Sequence, residues 1–371
     1  MMAMHSEVRR LADQIASAAS AGSPLRIRGG GSKDFYGQQL QGDLLDTGAL
    51  RGIVAYEPSE LVVTARAGTP LAELEAVLAQ QSQHLAFEPP HFGAAATVGG
   101  MVGAGLSGPP RAATGCVRDY VLGVQMLNGR AELLRFGGQV IKNVAGYDIS
   151  RLMAGSMGTL GLMTEVSLKV LPVATAQATL LFELDQAQAL QRLNIWAGQP
   201  LPLNASCWVR DRDRGCLYLR LRGARAAVES ACRSMGGELQ GDSAAADWDA
   251  LREQTLPFFE RACGQCLWRL SVPDSTGAMD LDAHSVLIEW GGALRWVKAP
   301  VSAAAHLRRA ASAAGGTATL FRQAQADGAP DAGGTAVFHP LAPELQRIHR
   351  ALKQQFDPAN IFNRTRMGAA I

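Results

Sequence analysis

Residues 137–171 read GGQVIKNVAGYDISRLMAGSMGTLGLMTEVSLKVL, and this stretch decides the fold. A Lys142-Asn143 pair and a Gly146-Tyr147-Asp148 turn come first. A cluster then sets Gly155, Gly158 and Gly161 three residues apart. Last, residues 162–171 alternate apolar and polar side chains as a strand does, and Pro172 closes them. Glycines at this density let backbone N–H groups approach a large ligand that Cβ atoms would exclude. A ligand that takes so much bare backbone is most simply a nucleotide cofactor.

Working outward, residues 26–33 read RIRGGGSK. Gly29, Gly30, Gly31 and Ser32 follow a short strand, and consecutive N–H groups in such a loop form an anion-binding concavity. Arg28 and Lys33 add positive charge at its two ends. A flexible turn after a strand is the plainer reading of the same residues. On the ligand reading, Gly30 is bare so that backbone can meet a pyrophosphate. Residues 95–111, AATVGGMVGAGLSGPPR, contain G-x-G-x-x-G at 103–108. That pattern belongs to NAD-binding Rossmann units only where a helix opens within it. Here Pro109-Pro110 forbids the helix. These glycines, with Thr97, Val98, Gly99, Gly100 and Ser107, better suit a loop wrapping a flavin.

Two more segments complete the set: GCVRDYVLGVQML at 115–127 and LKQQFDPANIFN at 352–363. Taken in order, the five segments resemble the FAD-binding domain of the vanillyl-alcohol oxidase family, the PCMH type. The resemblance covers residues 26–171 and about the last thirty. Within the family, FGGQVIKNVAGYDISRLMAGS at 136–156 and FDPANIFN at 356–363 resemble the FAD-binding subunit of bacterial glycolate oxidase. The resemblance implies an α+β chain: an FAD domain of two α/β subdomains at 1–174, a smaller α+β cap at 175–338, and a segment at 339–371 returning to the FAD domain. It implies FAD contacts at Arg28, Gly29, Gly30, Gly31, Ser32, Lys33, Thr97, Val98, Gly99, Gly100, Ser107, Gly108, Gly115, Asp119, Gly155, Gly158, Thr159, Gly161 and Val166. FAD is expected to be bound without a covalent tether, because the first glycine loop holds no His or Cys. The implied reaction is oxidation of glycolate, a small 2-hydroxy acid, to glyoxylate. Electrons would pass to a ferredoxin-like iron–sulfur subunit, in a complex with a homologous FAD subunit.

Composition narrows the alternatives. A chain of 371 residues suggests about two domains, and 47% hydrophobic residues are ample for a core. The net charge of +2, without a basic block, does not favour a nucleic-acid partner. No apolar run approaches the twenty or so residues that span a bilayer. Membrane association is therefore expected only peripherally, through partners. Six scattered cysteines fit a reduced cytoplasmic setting, at most at the inner face of the cytoplasmic membrane.

The N-terminal segment reads as an amphipathic helix carrying Val8, Leu11 and Ile15, stopped at Gly22-Ser23-Pro24. Thr69 is placed to cap a second helix with Pro70 at its first position. A final helix should align Leu345, Ile348, Leu352 and Phe356 on one face. All six tryptophans fall between 196 and 296, either as interface anchors or as core.

Catalytic groups are less legible. Lys142, Asn143, Tyr147 and Asp148 suit a place beside the isoalloxazine, where a cation stabilises the reduced flavin. Asp148 equally suits the cap of a short helix. Many relatives that oxidise 2-hydroxy acids carry H-x-G-D-G-N-x-H in the second domain. The histidines here, His284, His306, His339 and His349, do not form it. His339 is the one placed to be tested first, and the base is left unnamed, with Lys142, Tyr147 and His339 as candidates. Cys263 and Cys266 form a lone C-x-x-C, half of what a metal or cluster site needs, so no metal site is expected.

Overall fold

The computed structural model describes residues 6–138, 147–211, 214–281, 285–324 and 335–368. Backbone contacts divide it into two units: Met1–Leu106 with Cys116–Val173 and Pro340–Ile371, and Ser107–Gly115 with Ala174–His339.

The first unit begins with the helix Ser6–Ala21. Its apolar positions recur at helical spacing, so Val8, Leu11, Ala12, Ile15 and Ala18 share one buried face. Gly22, at φ 66°, ends it in the left-handed region. The strand Leu25–Arg28 then pairs in parallel with Asp43–Asp46. Leu25, Leu45, Ile361 and Phe362 pack under the helix with Leu11 and Ile15. Each such fully buried aliphatic contributes about 1.5–3 kcal/mol.

A five-stranded antiparallel sheet forms the other half of this unit. Its order is Ile53–Glu57, Val62–Arg66, Leu162–Lys169, Val121–Leu127, Leu133–Gly137. The helix Leu71–Ala79 buries Leu71, Leu74 and Leu78 in the same core. Thr69 does not cap this helix: its hydroxyl is exchanged with the backbone of Gly52, at 3.0 and 3.2 Å, and Pro70 takes the cap position. The closing helix Pro343–Phe356 buries only part of its apolar face. Leu352 and Phe356 reach the core, while Leu345 and Ile348 are exposed.

The second unit is an eight-stranded sheet whose strands pair antiparallel. Helices Gln186–Ala197 and Ala304–Ala313 pack on one face, against Trp208, Leu217 and Ile288 and against Trp268, Leu270 and Val297. Alternation sends Cys207, Tyr218, Glu289, Trp296 and Arg269 to the opposite face. All six tryptophans are buried in this unit, so they are core residues and not exposed anchors.

Residues 107–115, taken above as part of the FAD domain, pack with this second unit. Trp290 Nε1 donates to the Gly108 carbonyl at 3.0 Å, and the Arg111 guanidinium lies 4.5 Å from the Trp290 ring centre. Among the described residues no helix is long and apolar enough to cross a membrane.

Candidate cofactor cleft

In the first unit a cleft opens where the strand Leu25–Arg28 runs into residues 29–33. The wall opposite carries Gly158 and Gly161, and the floor carries Thr97, Gly99 and Gly100. Among the described residues, none of the backbone N–H groups of Gly29, Gly30, Gly31 and Ser32 donates a hydrogen bond within the protein. Unpaired amides in succession, facing a cleft, are complementary to an anion. Arg28, Lys33 and Arg366 line the same cleft with one carboxylate, Asp34, which pairs with Arg28 at 2.8 Å. Lys33 Nζ is held by the His91 carbonyl at 3.0 Å. Donor set and charge both suit the pyrophosphate of a dinucleotide.

The floor is a short helix, Val98–Ala104, where the sequence suggested only a loop. Thr97 caps it by accepting from Gly100 N at 3.2 Å, and Gly105, at φ 66°, ends it. Pro109-Pro110 bars a helix running on through them, but not this one, which ends at Gly105, nor the four-residue helix Arg111–Thr114 that begins after them.

The glycines serve the protein's own packing more than the sequence suggested. A Cβ on Gly30 would sit 1.4 Å from the Ala95 carbonyl oxygen. On Gly158, at φ +73°, it would sit 2.6 Å from Asn363 Nδ2. Both positions are bare because protein backbone or side chain already occupies the space.

Eleven of the nineteen residues read as FAD contacts line the cleft: residues 28–33, Thr97, Gly99, Gly100, Gly158 and Gly161. The other eight lie elsewhere. Val98 and Val166 are fully buried in the core, pointing away because they sit on the inward side of a helix and a strand. Gly155 packs against Gly105. Thr159 is buried, its hydroxyl donating to the Ser156 carbonyl at 2.7 Å. Asp119 caps Val117–Tyr120 by accepting from Cys116 N at 2.9 Å. Ser107, Gly108 and Gly115 belong to the second unit.

Among the lining residues that the sequence reading missed, Asn363 and Arg366 come from the far end of the chain. Their signal was present just past the apolar helix, in the phrase FDPANIFNRTR, where polar side chains follow two buried apolar ones. Arg366 is buried, donating to the carbonyls of Gln38, Lys33 and Asp34. Burial pulls its guanidinium down to about 10, which leaves it charged at neutral pH.

Of the catalytic candidates, Lys142 lies outside the described residues, as do Asn143, Gly146 and His284. Tyr147 is 96% exposed. Asp148 caps the helix Ile149–Met153 by accepting from Arg151 N at 3.0 Å. Both ring nitrogens of His339 are engaged: Nδ1 accepts from Ala318 N and Nε2 meets Ser312 Oγ, each at 3.2 Å. Its burial and Arg308 push its pKa down, and its role is to fasten the end of the second unit. That unit also holds a carboxyl the sequence did not single out. Burial pushes Glu289 up to about 7, against the opposing pull of a 2.7 Å bond from Trp296 Nε1 and of Arg269. Cys263 is exposed and Cys266 buried, its thiol pushed up by burial.

Residues 4–137 match a family described as FAD binding domain. The glycolate oxidase subunit GlcE of Escherichia coli (strain K12) is 45% identical over 361 residues, 97% of either chain. The glycolate oxidase subunit GlcD of Bacillus subtilis (strain 168) is 33% identical over 153 residues, 40% of this chain and 32% of that one. A D-lactate dehydrogenase of Anaerostipes hadrus is 31% identical over 147 residues, 40% of this chain and 30% of that one. Among solved structures, an alkyldihydroxyacetonephosphate synthase matches with a TM-score of 0.65 at 15% identity, over 96% of this chain and 74% of that one. That likeness is one of fold, and it agrees with the α+β, PCMH-type architecture expected from the sequence. The free amides of residues 29–32 and the cations beside them fit the group this family binds. The chain belongs to the family of the glycolate oxidase subunit GlcE, an oxidoreductase family built on an FAD-binding domain, and FAD is its cofactor.

Proposed function

We propose that this chain is an FAD-bearing subunit of a glycolate oxidase-like complex that oxidises a small 2-hydroxy acid, glycolate to glyoxylate, and passes the electrons to an iron–sulfur partner. The observation that carries this reading is the likeness to subunit GlcE along nearly the whole of both chains. The partial likeness to subunit GlcD fits a second, homologous flavin subunit in the same complex. Flavin, when bound, supplies a two-electron acceptor. The chain's own residues bind and orient it. The amides of residues 29–32, with Arg28 and Lys33, receive the pyrophosphate without a covalent bond. The complex would meet the membrane only through partners, at its cytoplasmic face.

A second reading makes this chain a flavin relay or scaffold, with substrate oxidised on the homologous partner. Two observations favour it: the H-x-G-D-G-N-x-H pattern does not occur in the chain, and His339 has both nitrogens occupied. Anaerobic mixing with glycolate and with D-lactate separates the two. Bleaching of the flavin in the isolated chain supports a complete dehydrogenase. Bleaching only after reconstitution with the partner subunits supports the relay. A well-folded chain that takes up no FAD overturns the cofactor part, whereas flavin that stays with the acid precipitate overturns only the non-covalent attachment.

A further inference from the structure

The last residues of the chain grip both glycine loops of the cleft. Asn363 sits at φ 37°, in the left-handed region that asparagine tolerates. Its backbone N donates to the Leu25 carbonyl at 2.9 Å. Its Oδ1 accepts from Ile27 N at 2.8 Å, and its Nδ2 donates to the Met157 carbonyl at 2.7 Å. One carboxamide thus ties the strand that enters the first glycine loop to the residue that enters the Gly158 turn. Those partners lie 336 and 206 residues away in sequence. Among the described residues no hydrogen bond runs directly from residues 29–32 to residues 157–161, so this amide is a bridge that the two loops lack on their own.

The neighbours hold the bridge in place. Lys353 Nζ donates to the carbonyls of Thr159 at 2.8 Å and Phe362 at 2.7 Å, and pairs with Asp357 at 2.8 Å. Asp357 in turn accepts from Ile361 N and Phe362 N at 3.0 and 2.8 Å. The turn that presents Asn363 is therefore fixed before Asn363 reaches either loop. Arg366, three residues on, holds the far side of the first loop by its carbonyls. Gly158 has no side chain at the point where Asn363 Nδ2 approaches, so glycine and amide are matched in shape.

We propose that Asn363 is the positioning residue of the cofactor cleft: its carboxamide sets the spacing between the first glycine loop and the Gly158 turn, so that FAD binds tightly only to a chain whose C-terminal segment is seated. This rests on the cleft being the FAD site. A dinucleotide that spans two loops binds in proportion to how well both are pre-placed, since ordering them at the moment of binding subtracts from affinity.

The test uses the full chain stripped of flavin, FAD titration by fluorescence, and thermal melting of the flavin-free protein. Asn363→Asp keeps the left-handed tolerance and the oxygen that Ile27 N needs, but sets an oxygen against the Met157 carbonyl. Asn363→Ala removes both bonds. FAD affinity is expected to fall at least about tenfold in Asn363→Asp, the equivalent of one buried hydrogen bond, while the flavin-free protein melts lower but still folds cooperatively. Gly158→Ala should lose affinity alone, and lose less when made in the Asn363→Ala background, because the atom it strikes is gone. Unchanged affinity in Asn363→Asp overturns the proposal. Additive losses in the double variant do the same, as does failure of both Asn363 variants to fold, since the residue would then hold the unit and not the cleft. Arg28→Met with Lys33→Met is the companion measurement. If it loses FAD while Asn363→Asp does not, only the positioning role fails; if it binds FAD normally, the cleft itself is misassigned.

Discussion

Replacing Gly30 by alanine separates two reasons for a bare backbone in the first loop. Gly30 is not among the residues at positive φ, so alanine meets no backbone strain there. What it meets is protein: the new Cβ would lie 1.4 Å from the Ala95 carbonyl oxygen and 2.4 Å from its carbon. Carbon contacts settle near about 3.5 Å, so loop and residue 95 must part by about 2 Å. Overpacking against movable side chains costs about 1–3 kcal/mol. A backbone carbonyl yields less readily, which puts this substitution at the upper end. Gly31→Ala is the graded control. Its Cβ would meet the Arg28 guanidinium at 2.3 Å, a flexible end that can swing away, and the φ of +73° adds about 1–2 kcal/mol. Melting of the flavin-free protein by circular dichroism should therefore drop more for Gly30→Ala than for Gly31→Ala, with FAD titration showing weaker binding in both. If flavin-free Gly30→Ala melts with the wild type and only FAD binding is lost, the glycine is kept for the ligand and the packing argument is wrong.

Lys353→Met should destabilise the first unit by about 3–5 kcal/mol in chemical denaturation, because the fully buried Asp357 carboxylate loses its counter-charge; a loss below about 1 kcal/mol would mean the pair contributes little. Glu289→Gln should be pH-dependent. With the carboxyl raised from 4.5 to about 7 in the fold, the folded chain keeps a proton that the unfolded chain releases between those values. Wild-type stability therefore falls as pH rises through that window and is level above it, whereas glutamine does not titrate. The variant should melt higher than wild type at pH 8, by at most about 3 kcal/mol, and alike at pH 5, read by tryptophan emission since all six tryptophans lie in that unit. A gap that does not change with pH would refute the assignment. Cys263→Ser with Cys266→Ser should leave flavin content and electron transfer intact; stoichiometric iron or zinc in the wild type, lost in the double variant, would show the pair had been undervalued.

The sequence by itself determined the local chemistry. The amphipathic helix with Val8, Leu11 and Ile15, its stop at Gly22, the strand into residues 29–32 and the FAD family all follow from short-range patterns: helical spacing, left-handed glycine, and ordered glycine clusters. Eleven cleft residues were legible for the same reason, since each belongs to a loop that announces itself within a few residues. Only the tertiary structure decided the rest. Val98 reads as part of a glycine loop and Val166 as part of the strand after one, but the sides of the helix and strand they occupy turn them into the core. Residues 107–115 adjoin the first unit in the chain yet pack on Trp290, nearly two hundred positions on. Whether Leu345 and Ile348 are covered is not written in their spacing, because amphipathicity fixes a face and not what lies against it. Asn363 is the clearest case. Its three bonds go to Leu25, Ile27 and Met157, and a carboxamide's partners across such distances are set by where the chain folds back, which no local pattern encodes.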